Sequence, residues 1–310
     1  MAQYVFGPVP SRRLGRSLGV DLVPYKTCTY DCIYCQLGRT TTRTVNRQEW
    51  MPLEEVVAEV KERLIDQPDY ITLSGSGEPT LYVRIGELID RIRSITKIPI
   101  AVLTNGSLLW QPDLRRELAA AHLIVPSLDA GDSSLFQSIN RPHPDIGYER
   151  MLEGLIAFRE EFAGDYWLEV FLLAGHTDMP AEVRKLAQHV KRINPTRVHL
   201  NTVSRPPAEE YAASVNQEKL KKFAALFTPE AEVIADSCIN HQPPAFKHDY
   251  GDVLRLLQRR PCTIHDVSTG LGLHDNEVIK CLEELQTQGL LTWAWVKGEC
   301  FYRCQPNAVS

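Results

Sequence analysis

Short apolar runs alternate with longer amphipathic segments from about residue 19 to residue 203, and nothing else in the chain restricts its fold as much. The runs are LGVDLV (near 19–23), YITLSG (70–75), IPIAVLTNG (98–106), LIVPSLDA (123–130), YWLEVFLLAG (166–175) and RVHLNTV (197–203). They are rich in Val, Ile and Leu and mostly bounded by Gly, Pro, Asn or Asp, which predicts strands buried on both faces. Between them, PLEEVVAEVKERLID (52–66), VRIGELIDRIRSI (83–95), QPDLRRELAAA (111–121), YERMLEGLIAFREEF (148–162) and AEVRKLAQHVKRI (181–193) repeat apolar residues at the helical period. Six strands joined by five helices predict a parallel α/β sheet, read here as a partial (β/α)6 TIM-like barrel.

The pattern changes after residue 240. NHQPPAFKHDYGD is polar and contains prolines, so 241–248 reads as a linker between a barrel with an N-terminal extension (1–240) and a small domain (249–310). That domain offers three short helices, a strand, a Lys-Gly turn and a second strand, the order of a winged helix-turn-helix. DNA binding is not expected of it. Its third helix, HDNEVIKCLEELQ, carries Asp275, Glu277, Glu283 and Glu284 against Lys280, whereas displacing counterions from phosphates needs a basic face. Trp293, Trp295 and Tyr302 instead suggest a packing surface for the barrel, a second copy or a protein.

The formal net charge of −5 argues against a basic coat for non-specific nucleic-acid binding, and no apolar run reaches the length of a membrane span. With no signal-peptide pattern at the start, a soluble cytoplasmic protein is expected. Residues 1–47 nevertheless carry seven Lys/Arg against two acids. Within that basic stretch stands CTYDCIYCQLG (28–38), with Cys28, Cys32 and Cys35 on one short segment. In a reducing compartment such a cluster points to metal or redox chemistry rather than disulfides. Buried inert thiols and a zinc site are the alternatives. A 4Fe–4S cubane usually takes four cysteines, so three would leave one iron open for another ligand. Cys300 and Cys304 lie on one face of a predicted strand, and with Cys262 and Cys281 they raise the further possibility of a second metal.

Polar motifs follow the successive strands. SGSGEPT (74–80) places Gly75 and Gly77 where a backbone can approach a ligand closely, with Glu78 and Pro79 fixing the turn. TNG supplies Thr104 and Asn105, and SLDA supplies Ser127 and Asp129. In parallel barrels the C-terminal ends of the strands are where ligands bind. Lys26, Arg12, Arg13, Arg16, Arg141, His143 and Glu169 are further candidates, with Lys26 and Arg141 marked as catalytic.

These motifs resemble the radical S-adenosylmethionine (SAM) superfamily over roughly residues 15–205. Its signature is C-x3-C-x2-C with an aromatic residue before the third cysteine, here Tyr34. The resemblance implies a 4Fe–4S cluster on Cys28, Cys32 and Cys35, with SAM on the fourth iron. It implies that GSGEP holds the SAM amino group, that Ser127 and Asp129 meet the ribose, and that LLAG and NTVS (Asn201) support the adenine. The implied chemistry is reductive SAM cleavage to a 5′-deoxyadenosyl radical that abstracts hydrogen, with electrons from a flavodoxin or ferredoxin. GEPTLY, TNG, SLDAGDSSLFQSINRP and FLLAGHTD resemble, in order, stretches of the wyosine (tRNA-modifying) synthases. Unlike those synthases, this chain has no cysteine before Cys28, and they lack an obvious equivalent of its tail. The substrate is left open among an anionic small molecule, an RNA and a peptide. The non-enzyme alternative is a zinc-stabilised winged-helix binding protein.

Overall fold

The computed structural model describes residues 4–234 and 250–305. The expected linker and Cys238 lie outside the described residues. The chain opens with an antiparallel hairpin, β1 (Val5–Ser11) and β2 (Gly15–Val20). A two-residue parallel pair, β3 (Thr27–Cys28) and β4 (Thr42–Arg43), then brackets the cysteine loop. The alternating part comprises α1 (Leu53–Arg63), β5 (Tyr70–Leu73), α2 (Ile85–Ile95), β6 (Ile100–Thr104), α3 (Pro112–Leu118) and β7 (Leu123–Pro126). A short turn, α4 (Ser133–Leu135), widens into a π-helix at Phe136–Asn140. It is followed by α5 (Tyr148–Glu161), β8 (Asp165–Ala174), α6 (Pro180–Ile193) and β9 (Arg197–Thr202). Next come β10 (Ala213–Ser214), α7 (Gln217–Ala224) and β11 (Glu232–Val233). The tail consists of α8 (Tyr250–Arg259), α9 (Ile264–Leu271), α10 (Asp275–Thr287) and the antiparallel hairpin β12 (Leu291–Val296) and β13 (Glu299–Cys304).

The six strands expected from the apolar runs are β2, β5, β6, β7, β8 and β9. They pair in parallel, in chain order, as successive crossover helices require. The barrel's other strands were not expected: β3 and β4 pair with each other, β10 pairs antiparallel with β8, and β1 and β11 extend the sheet. β1 adds antiparallel to one edge and β11 adds parallel to the other, so the sheet is open with β1 and β11 as its ends. Several helix starts follow from their first residues. Pro112 and Pro180 occupy the first position of α3 and α6, where no amide hydrogen is needed. In the tail, Thr263 and Asp266 form a reciprocal capping box on α9.

One face of the sheet packs against the helices through Leu18, Val20, Ile71, Leu73, Ile100, Val102 and Ile124. The other face holds a smaller cluster of Ala101, Leu123, Val125 and Trp167, into which Leu14 of the β1–β2 turn inserts. Beside it Arg13 is ion-paired with Glu169, and both side chains are largely buried. Burial raises the Glu169 carboxyl, but Arg13, His199 and Asn201 together hold the group below its ordinary range. Arg16 lies away from the strand-end motifs. It donates to the carbonyls of Asp66 and Gln67, at the end of the strand opposite the motifs.

The tail lies across the open side of the sheet. Val253, Leu256, Leu257, Val267 and Leu271 share a core with Phe6 and Val9 of β1. On the far side Arg205, just after β9, donates to the Pro261 carbonyl at 3.0 Å and pairs with Asp266 at 3.6 Å. The N-terminal extension is therefore as much a part of the tail's core as of the barrel's. Trp293 and Trp295 are exposed, whereas Tyr302, expected to be exposed with them, packs partly against the tail's core. Among the described residues no helix is long and apolar enough to cross a membrane.

Candidate active site

Residues 29–41 form no helix or strand, and their backbone is fixed by neighbours. Thr44 N–H donates to the Cys28 carbonyl at 3.0 Å and His143 N–H to the Thr29 carbonyl at 2.8 Å. Ile33 N–H donates to the Ile139 carbonyl at 2.9 Å. Tyr30 and Ile33, both buried, anchor the loop in the core. Between these anchors Cys28, Cys32 and Cys35 are half-buried free thiols.

Each thiol has N–H donors aimed at it. Asn105 Nδ2 lies 3.6 Å from Cys28 Sγ, and the amides of Thr29 and Tyr30 also donate to it. Asn140 Nδ2 lies 3.5 Å from Cys32 Sγ. Cys35 receives the amide of Leu37 and the favourable charge of Lys26, while the Gly38 amide donates to the Cys35 carbonyl at 3.0 Å. Burial still dominates. It pushes Cys28 up to about 12, with Glu78 adding to the rise, and it raises Cys32 and Cys35, Cys32 further through its neighbouring cysteines. A thiolate set with inward donors and mutual repulsion fits a cationic iron–sulfur centre, which supplies the missing positive charge. Among the described residues no three His, Cys, Asp or Glu side chains converge on a single-ion position. A cubane gives each cysteine its own iron and does not need such convergence.

The strand-end motifs surround this loop. Glu78 is 2 % exposed, and its carboxylate accepts from Thr80 N, Thr80 Oγ1 and Thr104 Oγ1 (3.1, 2.6 and 2.6 Å) and from Asn105 N (2.8 Å). Glu78 thus ties the GSGEP turn to TNG and aims Asn105 at Cys28. Pro79 is buried in the 3-10 turn beside it. Gly77 is required by this chain's own backbone, because a Cβ there would lie 1.8 Å from the Thr27 carbonyl oxygen. Gly75 has φ +141°, and a Cβ would come within 2.8 Å of the Asp21 carboxylate. Asp21 in turn accepts from Ser76 N at 2.9 Å and from Ser76 Oγ. Arg259 of the tail reaches Asp21 at 3.5 Å, with both side chains at or below 10 % exposure. The glycine loop is therefore fastened to the tail through one buried ion pair.

Tyr34 stacks on Phe171, with ring centroids 4.1 Å apart, and its hydroxyl donates to Asp129. Asp129 also accepts from Asn140 Nδ2 at 3.0 Å and Phe171 N at 3.1 Å. Burial raises its carboxyl to about 6 against the opposing pull of Tyr34 and Asn140. Ser127 bridges the backbone of Glu169, and Asn201 hydrogen-bonds to the Glu169 carboxylate. Arg141 adopts a left-handed conformation and is bound at 2.6 Å to Glu209. Lys26, at φ 60°, stands beside Cys35.

Sequence reasoning missed Asp21, Asn140, Phe171 and Arg259. Asp21 was visible as the one charge inside an apolar run, and Phe171 follows Glu169 at strand period two. Asn140 and Arg259 gave no local signal.

Residues 22–190 match the family described as the radical SAM superfamily. A UPF0026 protein of Methanocaldococcus jannaschii is 39% identical over 226 residues, covering 72% of this chain and 70% of that one. A UPF0026 protein of Helicobacter pylori is 32% identical over 305 residues, 96% of each chain. A GTPase Obg of Brachyspira hyodysenteriae is 38% identical over 306 residues, which span 96% of this chain but only 45% of the relative's length. Among solved structures, a radical SAM methyltransferase from Sphaerobacter thermophilus superposes with a TM-score of 0.53 at 20% identity, covering 70% of this chain and 66% of its own. SuiB of Streptococcus suis, in a structure bound to SAM, has a TM-score of 0.52 at 17% identity, covering 75% and 53%. At such identities these two structures share the fold alone. Together with the family match and the relatives of similar length, they show that the chain belongs to the radical SAM superfamily, working with a 4Fe–4S cluster and SAM, and within it to the UPF0026 proteins.

Proposed function

We propose that Cys28, Cys32 and Cys35 hold the cluster and that the chain cleaves SAM reductively to start hydrogen abstraction from a substrate. The observation that carries this reading is the set of three free thiols on one irregular loop, each met by N–H donors. When bound, the cluster and SAM supply one-electron cleavage of a sulfonium C–S bond and a 5′-deoxyadenosyl radical. The chain's residues bind, orient and exclude water. Glu78 keeps the 75–80 turn and the 104–106 turn in one piece beside Cys28. Tyr34, locked between Phe171 and Asp129, fixes the stretch between Cys32 and Cys35. Ser127, Asp129 and Asn201 line the strand ends where the nucleoside of SAM would lie, and Gly75, Gly77 and Pro79 shape the turn for its amino group. Electrons would come from a flavodoxin or ferredoxin.

Likeness to the wyosine synthases supports an RNA substrate as a second reading, and a peptide side chain is the competing one. The tail, with its three helices and hairpin, follows the winged-helix order. The exposed part of α10 carries Asp275, Glu277, Glu283 and Glu284, which supports a role in docking or covering the barrel rather than reading DNA.

Anaerobic reconstitution tests the central reading. About four iron and four sulfide per chain and SAM-dependent 5′-deoxyadenosine are expected. Protein that takes up zinc alone and forms no 5′-deoxyadenosine after iron–sulfur reconstitution would refute it.

A further inference from the structure

A cleft of about 210 Å³ lies between the cysteine loop and the tail. Lys26, Leu37 and Arg39 form one wall, and Arg260, Pro261 and Arg303 form the other. Four of these side chains are cationic, and among the described residues no carboxylate lines the cleft. Arg39 pairs outward with Glu209 at 2.7 Å. Lys26 packs over Gly38, where a Cβ would come within 2.8 Å of its amine.

Positive charge also gathers behind the tail wall. Burial raises the Asp266 carboxyl, and Arg205, Arg260 and Arg12 pull it down to below its ordinary range. Arg205, deeply buried, is lowered to about 10 by burial and then by Arg260. Arg260 Nε is buried with no hydrogen-bond partner among the described residues. A buried guanidinium donor without an acceptor is costly, and crowded like charges add to that cost. An anion entering the cleft would relieve both.

The size and donor set choose the anion. A single carboxylate is satisfied by one guanidinium fork, whereas a phosphoryl group carries up to two charges and three acceptor oxygens. The volume equals roughly seven waters at about 30 Å³ each, enough for one or two phosphoryl groups and too small for stacked bases.

We propose that this cleft binds a terminal phosphoryl or pyrophosphoryl group of the substrate, with the barrel and the tail each supplying one wall. The proposal rests on reading the cysteine loop as the catalytic centre, since Gln36, Leu37 and Gly38, next to Cys35, belong to the same cleft. It makes the tail a substrate-recognition element.

The test titrates reconstituted holoenzyme with inorganic pyrophosphate by anaerobic calorimetry, without SAM. Saturable one-site binding is expected, weakened about tenfold or more in Arg303→Gln and in Arg260→Gln and largely retained in Arg303→Lys. Arg303 lies on the tail hairpin rather than in its core, so its variants keep the test open if Arg260→Gln fails to fold. No saturable binding up to about 10 mM, or equal affinity in the wild type and both Gln variants, would overturn the proposal. Displacement of pyrophosphate by a short RNA lacking terminal phosphates would overturn the assignment to a terminal group, and failure to displace would support it. Formation of 5′-deoxyadenosine by the wild type is measured in the same preparation. Loss of that product with pyrophosphate binding intact would count against the catalytic reading alone.

Discussion

The cysteine loop and the tail use the same residue type in opposite ways. Cys262 and Cys281 are buried in the tail's core among Val253, Leu256 and Val267. Cys262 gives its backbone amide and carbonyl to Tyr302, and Cys281 lies within α10, where amides serve the helix. Cys300 and Cys304 sit on β13, paired with β12. Cys28 ends the two-residue β3 and Cys32 and Cys35 follow in the irregular loop, so the amides of Thr29, Tyr30 and Leu37 are left to face sulfur. Regular elements consume their own hydrogen-bond donors, and an irregular loop can lend them to a ligand. The notion of a second metal on the tail's four cysteines loses its footing for the same reason: two of them fill an apolar core.

The largest expected effect breaks this contrast directly. Cys28→Ala, Cys32→Ala or Cys35→Ala should reduce 5′-deoxyadenosine formation to below about one per cent of wild type and lower bound iron. Cys281→Ala should keep full iron and lose only about 1 kcal/mol of stability. Iron and sulfide assays beside product chromatography check both, and iron loss in Cys281→Ala would erase the distinction.

The joint between the two regions comes next. Arg259→Ala leaves Asp21 buried without its ion partner and should destabilise the protein by about 3–5 kcal/mol in chemical denaturation. The double variant Asp21→Asn with Arg259→Met should recover most of that loss. Failure to recover it would mean that Arg259 acts through Phe6, on whose ring its guanidinium also lies at 4.6 Å.

The donors to sulfur sharpen the comparison further. Asn140→Leu removes the side-chain donor at Cys32 and a partner of Asp129, and should weaken cluster retention about 10–100-fold under chelator challenge. Unchanged retention would show that the backbone amides alone suffice.

The smallest effect lies far from either region. Burial, then Arg13, pushes His199 down to about 4, with Glu169 opposing. An unfolded histidine takes up its proton near pH 6.5 while the folded one resists, so stability is full above that pH and falls toward pH 4. Between pH 7 and 5 the loss should be about 2 kcal/mol, and His199→Gln should flatten that part of the profile. Equal pH slopes in denaturation midpoints would contradict it.

By itself the sequence determined the parallel sheet, the five crossover helices to within a few residues, and the cysteine loop with its strand-end motifs. Apolar period and turn residues are local signals, and burial on both faces of a strand writes itself into consecutive residues such as those of Ile100–Thr104. It did not reveal β1, since VFGPVPS has glycine, two prolines and no clean alternation, and an edge strand tolerates all of that. Tertiary structure alone decided that Asn140 turns from a π-helix onto Cys32, that Gly77 yields to the Thr27 carbonyl, and that Arg259 crosses from the tail to Asp21. It also decided that Lys26, Arg39, Arg260 and Arg303, up to 277 residues apart in the chain, face one cleft. Each of these depends on distances between segments remote in sequence, and no local pattern of polarity carries that information.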